Sequence, residues 1–208
     1  MLALLIAFLL SGCIVAVEDS YCVSEAVDEI VLDVSNGDVT ISTASELCVV
    51  VDVGGLSTSE VGHEIKDGVL YLDYDCSACG GEIQVAAPRA VLIDVAMGTG
   101  DLQISDRGGD VFAAVGAGEI DAIDLASART ELASGAGSVK ATWLERPQLV
   151  SVAVAAGSID ITVPAGVYFL DLQTKVGSID VSGIEESNSA DSQIAAVTST
   201  GAIHIRGK

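Results

Sequence analysis

Gly157-Ser158-Ile159-Asp160-Ile161 and, twenty residues later, Gly177-Ser178-Ile179-Asp180-Val181 decide how this chain is read. The shared pattern is glycine, a small or acidic residue, an aliphatic, any residue, an aliphatic. It recurs outward in both directions as Gly37-Asp38-Val39-Thr40-Ile41, Gly100-Asp101-Leu102-Gln103-Ile104, Gly118-Glu119-Ile120-Asp121-Ala122, Gly137-Ser138-Val139-Lys140-Ala141 and Gly201-Ala202-Ile203-His204-Ile205. From Gly100 onward the steps between glycines are 18, 19, 20, 20 and 24 residues. A fixed period of this length is the mark of a repeat architecture. The polar run Glu185-Glu186-Ser187-Asn188-Ser189 accounts for the longer last step as a loop.

Before several of these glycines lies a second alternating run: Ile30 to Val34, Val91 to Val95, Val150 to Val154 and Tyr168 to Leu172. Period-two alternation sends one set of side chains inward and the other outward, and no repeat carries sustained helical spacing. Two short strands in 19 to 20 residues leave no room for a βαβ unit, but they make one rung of a coil that stacks on its neighbours. The expected fold is therefore all-β, a parallel β-solenoid with two strands per rung and almost no helix. Glycine belongs at the corners, where the chain must turn sharply and approach its neighbour closely. Seven to nine rungs at about 4.8 Å each would make a rod on the order of 40 Å long. The regular repeats run from 88 to 205, preceded by a less periodic, strand-rich part over 21–87; together, 21–208 reads as a single domain.

The position three residues after each repeat glycine forms an outward column: Asp121, Lys140, Asp160, Asp180 and His204. If rungs stack in chain order, Lys140 sits between two carboxylates and Asp160 stands beside Asp180. The same order would make Ala202 to Ile205 the end of the sheet, an edge guarded by Arg206 and Lys208.

Nine Lys and Arg against thirty Asp and Glu give a net charge of −21. Phosphate-backbone binding needs clustered cations, so nucleic acid is excluded as a partner. An apolar share of 50% with 19% charged residues fits a compact domain and not a disordered acidic tail. Aromatics make up only 4%, which leaves few platforms for stacking bases or sugars.

Residues 1–12 contain no charged side chain, and Leu2 to Leu10 run into Ser11-Gly12-Cys13. The run is short for crossing a roughly 30 Å hydrocarbon layer and ends in small residues, as an export signal does. Leu10-Ser11-Gly12-Cys13 resembles the bacterial lipobox, which implies cleavage before Cys13, lipidation of Cys13 and a tether over 13–20. The first basic residue of the chain is Lys66, so the usual basic opening of a signal is missing. The expected address is the cell envelope, lipid-anchored in the membrane. Ile14 is not the acidic residue associated with inner-membrane retention, which favours the outer membrane.

Without Cys13, four cysteines remain: Cys22, Cys48, Cys76 and Cys79. In an exported chain an even number reads as disulfides, and four cysteines allow three pairings. The favoured pairs are Cys22 with Cys48 and Cys76 with Cys79. A redox role for Cys76-Ser77-Ala78-Cys79 is opposed by Asp75, which raises a thiol pKa, and by flanking strands where a helix N-terminus would be needed. A zinc site would need a second close pair, and Cys22 and Cys48 are 26 positions apart.

On these repeats the chain resembles the DUF4097 and head-GIN-like putative-adhesin group of bacterial envelope proteins, in which short Gly-Asp-Ile/Val units recur on a β-helix. The resemblance spans Asp28 to Ile205 and is strongest at Gly100-Asp101-Leu102 and in the Gly157 and Gly177 units. It implies a solenoid with a non-enzymatic, adhesin-like binding or structural role, and it brings no catalytic residues, cofactor or metal.

The residues themselves give little to an enzyme. His63 and His204 are the only histidines and stand in dissimilar contexts, and there is no Gly-x-Ser-x-Gly elbow. Gly116-Ala117-Gly118-Glu119-Ile120-Asp121 only superficially approaches a calcium-binding nonapeptide repeat, whose period is half as long. Trp143, a lone aromatic, reads as a packing plug. The competing enzyme reading is a polysaccharide lyase or hydrolase using Asp160 and Asp180 as a carboxylate pair. Its cations, among them Arg107, Lys140 and Lys175, are scattered where an acidic glycan would need them grouped. The remaining alternative is an envelope-stress sensory or accessory component. The expected partners are the membrane, through the N-terminal lipid, and an envelope protein or glycan.

Overall fold

The computed structural model describes residues 15–55, 62–75 and 79–208, and these contain strands and turns but no helix. In chain order the strands are β1 (Val15–Val23), β2 (Glu29–Asn36), β3 (Asp38–Thr43), β4 (Leu47–Gly55), β5 (Gly62–Lys66), β6 (Val69–Tyr74) and β7 (Cys79–Ala87). The regular region follows with β8 (Leu92–Thr99), β9 (Leu102–Ser105), β10 (Val111–Ala117), β11 (Ile120–Leu125), β12 (Arg129–Ala136), β13 (Val139–Trp143), β14 (Leu149–Ala156) and β15 (Ile159–Val163). The last are β16 (Val167–Val176), β17 (Ile179–Ser182), β18 (Glu185–Glu186), β19 (Gln193–Thr200) and β20 (Ile203–Gly207).

These strands form two ten-stranded sheets, neither of them closed. Each repeat gives its first strand to one sheet and its second to the other. The first-strand sheet, here sheet B, runs β18-β16-β19-β14-β12-β10-β8-β2-β6-β5. Sheet A runs β1-β4-β7-β3-β9-β11-β13-β15-β20-β17. Pairing is parallel throughout the repeats and antiparallel at β1 with β4, β4 with β7 and β5 with β6. Both sheets are thus mixed.

The alternation read from the sequence becomes the core. Val150, Val152 and Val154 of β14 and Ile159, Ile161 and Val163 of β15 are buried, while Ser151 and Asp160 between them face outward and are partly exposed. Repeating this on every layer fills the space between the sheets with aliphatic side chains, each large one contributing about 1.5 to 3 kcal/mol. Trp143, wholly buried, is part of that filling.

Between the two strands of a repeat the chain turns at a glycine of positive φ, such as Gly118 (φ 149) and Gly157 (φ 149). The parallel ladder continues through this corner: Gly118 N–H donates to Ala136 O at 2.9 Å, and Ile120 N–H to Ser138 O at 3.0 Å. The acidic or small residue after the glycine helps close it. Asp101 Oδ1 accepts the Glu119 N–H at 2.8 Å, and Asp38 Oδ1 accepts the Asp101 N–H at 2.9 Å. The second corner is plugged once by Arg107, which is fully buried and donates to the carbonyls of Ala87 (2.9 Å), Pro88 (2.7 Å) and Val91 (3.0 Å). Burial pushes its guanidinium down to about 10.

The layers do not follow chain order at the ends. From β8/β9 to β14/β15 successive repeats are neighbours, but β6/β7 lies on the outer side of β2/β3, and β19/β20 is inserted between β14/β15 and β16/β17. The final repeat is therefore an interior layer. The last layer is β16, covered by β18 only at Val167 and Tyr168, and β17, which overturns the expectation that Ala202 to Ile205 end the sheet. The physical reason is the sameness of the repeats: Ile203 and Ile205 present the inward side chains that Ile179 and Val181 would present, so either layer can stack on β15. The polar segment 184–192 is long enough to let the chain cross the end of the stack and return.

Cys22 and Cys48 are directly opposed across β1 and β4 and are joined by a disulfide. Cys13 and Cys76 lie outside the described residues, and with Cys76 the expected Cys76–Cys79 link. Residues 15–20, expected as tether, form the first part of β1.

Candidate binding faces

The outward column of sheet A is in register across seven layers. Its order is Thr40, Gln103, Asp121, Lys140, Asp160, His204, Asp180. Lys140 lies between Asp121 and Asp160, with its Nζ 4.0 Å from Asp121 Oδ1. Because β20 is inserted, His204 separates Asp160 from Asp180, and the like-charge neighbours expected from chain order do not meet. Arg206, two positions after His204, reaches to 3.7 Å from Asp160 Oδ1. The carboxylate pair of the glycosidase reading is thus split by an imidazole. His63 is in the other sheet, stacked on Tyr21 at 4.3 Å between ring centroids, so the two histidines share no site. Among the described residues no group of three or more His, Cys, Asp or Glu is placed to hold a metal ion.

Tyr21 is half-buried, and burial, with the charge of Asp19 adding to it, pushes its phenol up to about 12. Burial likewise raises Tyr168, an effect that the Arg146 guanidinium 4.8 Å from its ring centroid opposes. The Tyr168 hydroxyl donates to Pro164 O at 2.7 Å. These contacts tie Tyr168 to the turn before its strand and stack Tyr21 of β1 on His63 of β5.

Sheet B presents a different outer face. Asp33, Ala96, Ala114, Ala133, Ala153 and Val197 stand in one column on six adjacent strands. The next column reads Val31, Asp94, Phe112, Glu131, Ser151 and Ala195. Two depressions, of about 680 and 360 Å³, share Ala96, Ala114, Ala133 and Ala153 and so form one trough across the strands. Gly98, Gly116 and Gly135 continue its floor. A Cβ at Gly116 would meet the Gly98 carbonyl oxygen at 2.5 Å, so the floor is bare because the backbones touch. Asp33, Asp94 and Glu131 border it. The signal for this face is present in the sequence as the small outward residues of Val111-Phe112-Ala113-Ala114-Val115-Gly116 and Val152-Ala153-Val154-Ala155; a reading centred on charged residues passes over it.

The two-sheet fold is found in solved structures. One, described as "a putative cell adhesion protein" from Clostridium sporogenes, is similar over 93% of this chain and 100% of its own, with 15% identity and a TM-score of 0.57. Another, described as "a putative adhesin" from Bacteroides fragilis, is similar over 95% of this chain and 98% of its own, with 17% identity and a TM-score of 0.56. At that identity the likeness is one of fold. No protein-family model and no curated protein matches the chain.

Proposed function

We propose that this chain is a non-catalytic, adhesin-like binding module of the bacterial cell envelope, of the DUF4097 and head-GIN-like kind. In this reading it is exported, lipid-anchored at Cys13 in the outer membrane, and its two sheets are the walls of a flattened β-solenoid. The observation that carries the binding role is the trough on sheet B. The floor is a contiguous row of small apolar residues on an exposed sheet face, a shape into which a partner segment fits. Alanine and glycine let a partner approach the sheet closely with little side-chain ordering, and the bordering carboxylates select for basic groups. The partner is accordingly an envelope protein segment carrying apolar and basic residues. The fold shared with two proteins described as adhesion molecules supports the same reading.

The experiment is site-specific photo-crosslinking in the intact envelope. A photoreactive residue at Ala114 is expected to capture one discrete partner, the same residue at Gln103 on sheet A is not, and Ala133→Glu is expected to abolish the capture. Equal capture from both faces would overturn the assignment. Intact-mass analysis of the membrane fraction tests the anchor: an unlipidated chain retaining residues 1–12 would overturn it.

A further inference from the structure

The two ends of the stack are finished differently. One finishes in antiparallel edge strands, β1 on sheet A and β5 on sheet B, bearing exposed Glu18, Asp19, Glu64 and Lys66. The other is open. There β18 pairs with Val167 and Tyr168 alone, leaving Phe169 to Val176 of β16, and all of β17, without a strand on the outer side among the described residues. The inward residues of this last layer show the same incompleteness. Ile179 is 42% and Val181 39% exposed, whereas Ile203 and Ile205, their register mates one layer in, are fully buried. Leu170 and Leu172 are half-buried beside fully buried Ile194 and Ala196. Core side chains and unpaired backbone groups are thus exposed together, the combination that invites strand pairing.

Charge decides the occupant. Asp171, Gln173 and Lys175 alternate on the outward face of β16 and are all exposed. Lys175 has no ion-pair partner among the described residues, and Asp171 receives only the Gln173 side-chain amide, at 3.1 Å. In an antiparallel pair centred on Gln173, residue 171 of one strand opposes residue 175 of the other. A copy of this strand therefore sets Asp171 against Lys175 twice, once on each side of the axis, while inward Leu172 opposes Thr174 and Leu170 opposes Val176. We propose that the β16/β17 end pairs with the same end of a second copy across a two-fold axis through Gln173, giving a closed dimer. Such an isologous contact uses up the edge in both copies, whereas a head-to-tail contact would continue into a filament. The other charges of the open end, Asp180, Glu185 and Glu186, are all acidic, so the Asp171–Lys175 pairs are its self-complementary element.

The test is disulfide trapping of the full chain in its own membrane, with the wild-type protein as baseline for the native cysteines. Gln173→Cys places a thiol on the axis, opposite itself, and is expected to give a covalent dimer; Gln103→Cys, outward on sheet A, is not. Lys175→Glu is expected to lower the trapping efficiency of Gln173→Cys about tenfold, because each attractive pair becomes a repulsive one. Adding Asp171→Lys to that variant is expected to restore it, with the β-sheet circular dichroism spectrum unchanged throughout. No dimer from Gln173→Cys, equal trapping at Gln103→Cys, a ladder of higher species, or indifference to the charge swap would each overturn the proposal.

Discussion

Gly118 packs its α-carbon so closely against the carbonyl oxygen of Gly100 that a Cβ there would lie 1.9 Å from it. The same contact recurs from layer to layer along the corner, so each repeat glycine is fixed by the backbone beneath it and by its own positive φ. Gly118→Ala cannot be absorbed by a side-chain rotation, and it should destabilise the fold by about 3 to 5 kcal/mol. For a domain of this size, thermal unfolding should then fall by about 10 °C. Gly80→Ala, where a Cβ meets nothing within 4 Å, should leave the transition in place.

The Cys22–Cys48 disulfide closes a loop with a sequence separation of 26 residues and fastens an edge strand, β1, to β4. Chain-entropy arithmetic for a loop of that length gives about 3.5 kcal/mol. Replacing both cysteines with alanine should cost up to that amount. The loss should appear first as faster amide hydrogen exchange in β1, while β9 to β15 keep their protection.

Lys140 is exposed and flanked by Asp121 and Asp160 on the neighbouring strands. Lys140→Glu would set three carboxylates side by side. The expected cost is about 1 kcal/mol at low ionic strength, and 0.5 M salt should recover most of it in a urea titration.

Tyr21 gives stability a pH dependence on the alkaline side. In the unfolded chain a tyrosine ionises near 10, whereas in the folded protein burial and Asp19 hold Tyr21 up to about 12. Between those values the unfolded state binds fewer protons, so stability contributed by this group is present below pH 10 and is lost as pH rises toward 12. Tyr21→Phe should unfold less steeply than the wild type over pH 10 to 12, and absorbance titration at 295 nm should lose its latest-ionising component. Identical alkaline profiles would contradict this assignment.

What the sequence discloses here is whatever is local. The alternation in Val150 to Val154 and Ile159 to Val163 assigns inward and outward faces residue by residue, and Gly157 and Gly177 mark corners because a positive φ is written into the choice of glycine. Which layer touches which is not local. Ile203 and Ile179 have the same side chain in the same frame, so nothing in either segment says which of them stacks on Ile159. Only the packing of the whole chain reveals that His204, and not Asp180, stands beside Asp160. Arg107 escapes the sequence for a related reason. In Ser105-Asp106-Arg107-Gly108-Gly109 it is one more scattered cation, and its burial follows from carbonyls 16 to 20 residues away that converge on it. The trough on sheet B lay in plain view as alanines, but only an in-register sheet turns isolated alanines into a continuous floor.

The insertion of β19/β20 beneath β16/β17 separates the order of synthesis from the order of assembly. A chain leaving a ribosome or a translocon makes β16/β17 available first, at a moment when the surface of β14/β15 is free and accepts the same inward side chains. If that early docking occurs, it occupies the berth of a layer not yet made, and the final repeat can enter only after it lets go. Refolding of the complete chain should therefore show a slow phase that vanishes when residues 184–208 are deleted, since the shortened chain has no later claimant for that position. That outcome would make the last sixteen residues a displacing segment, with the native arrangement reached by exchange between near-equivalent layers and not by simple addition from one end.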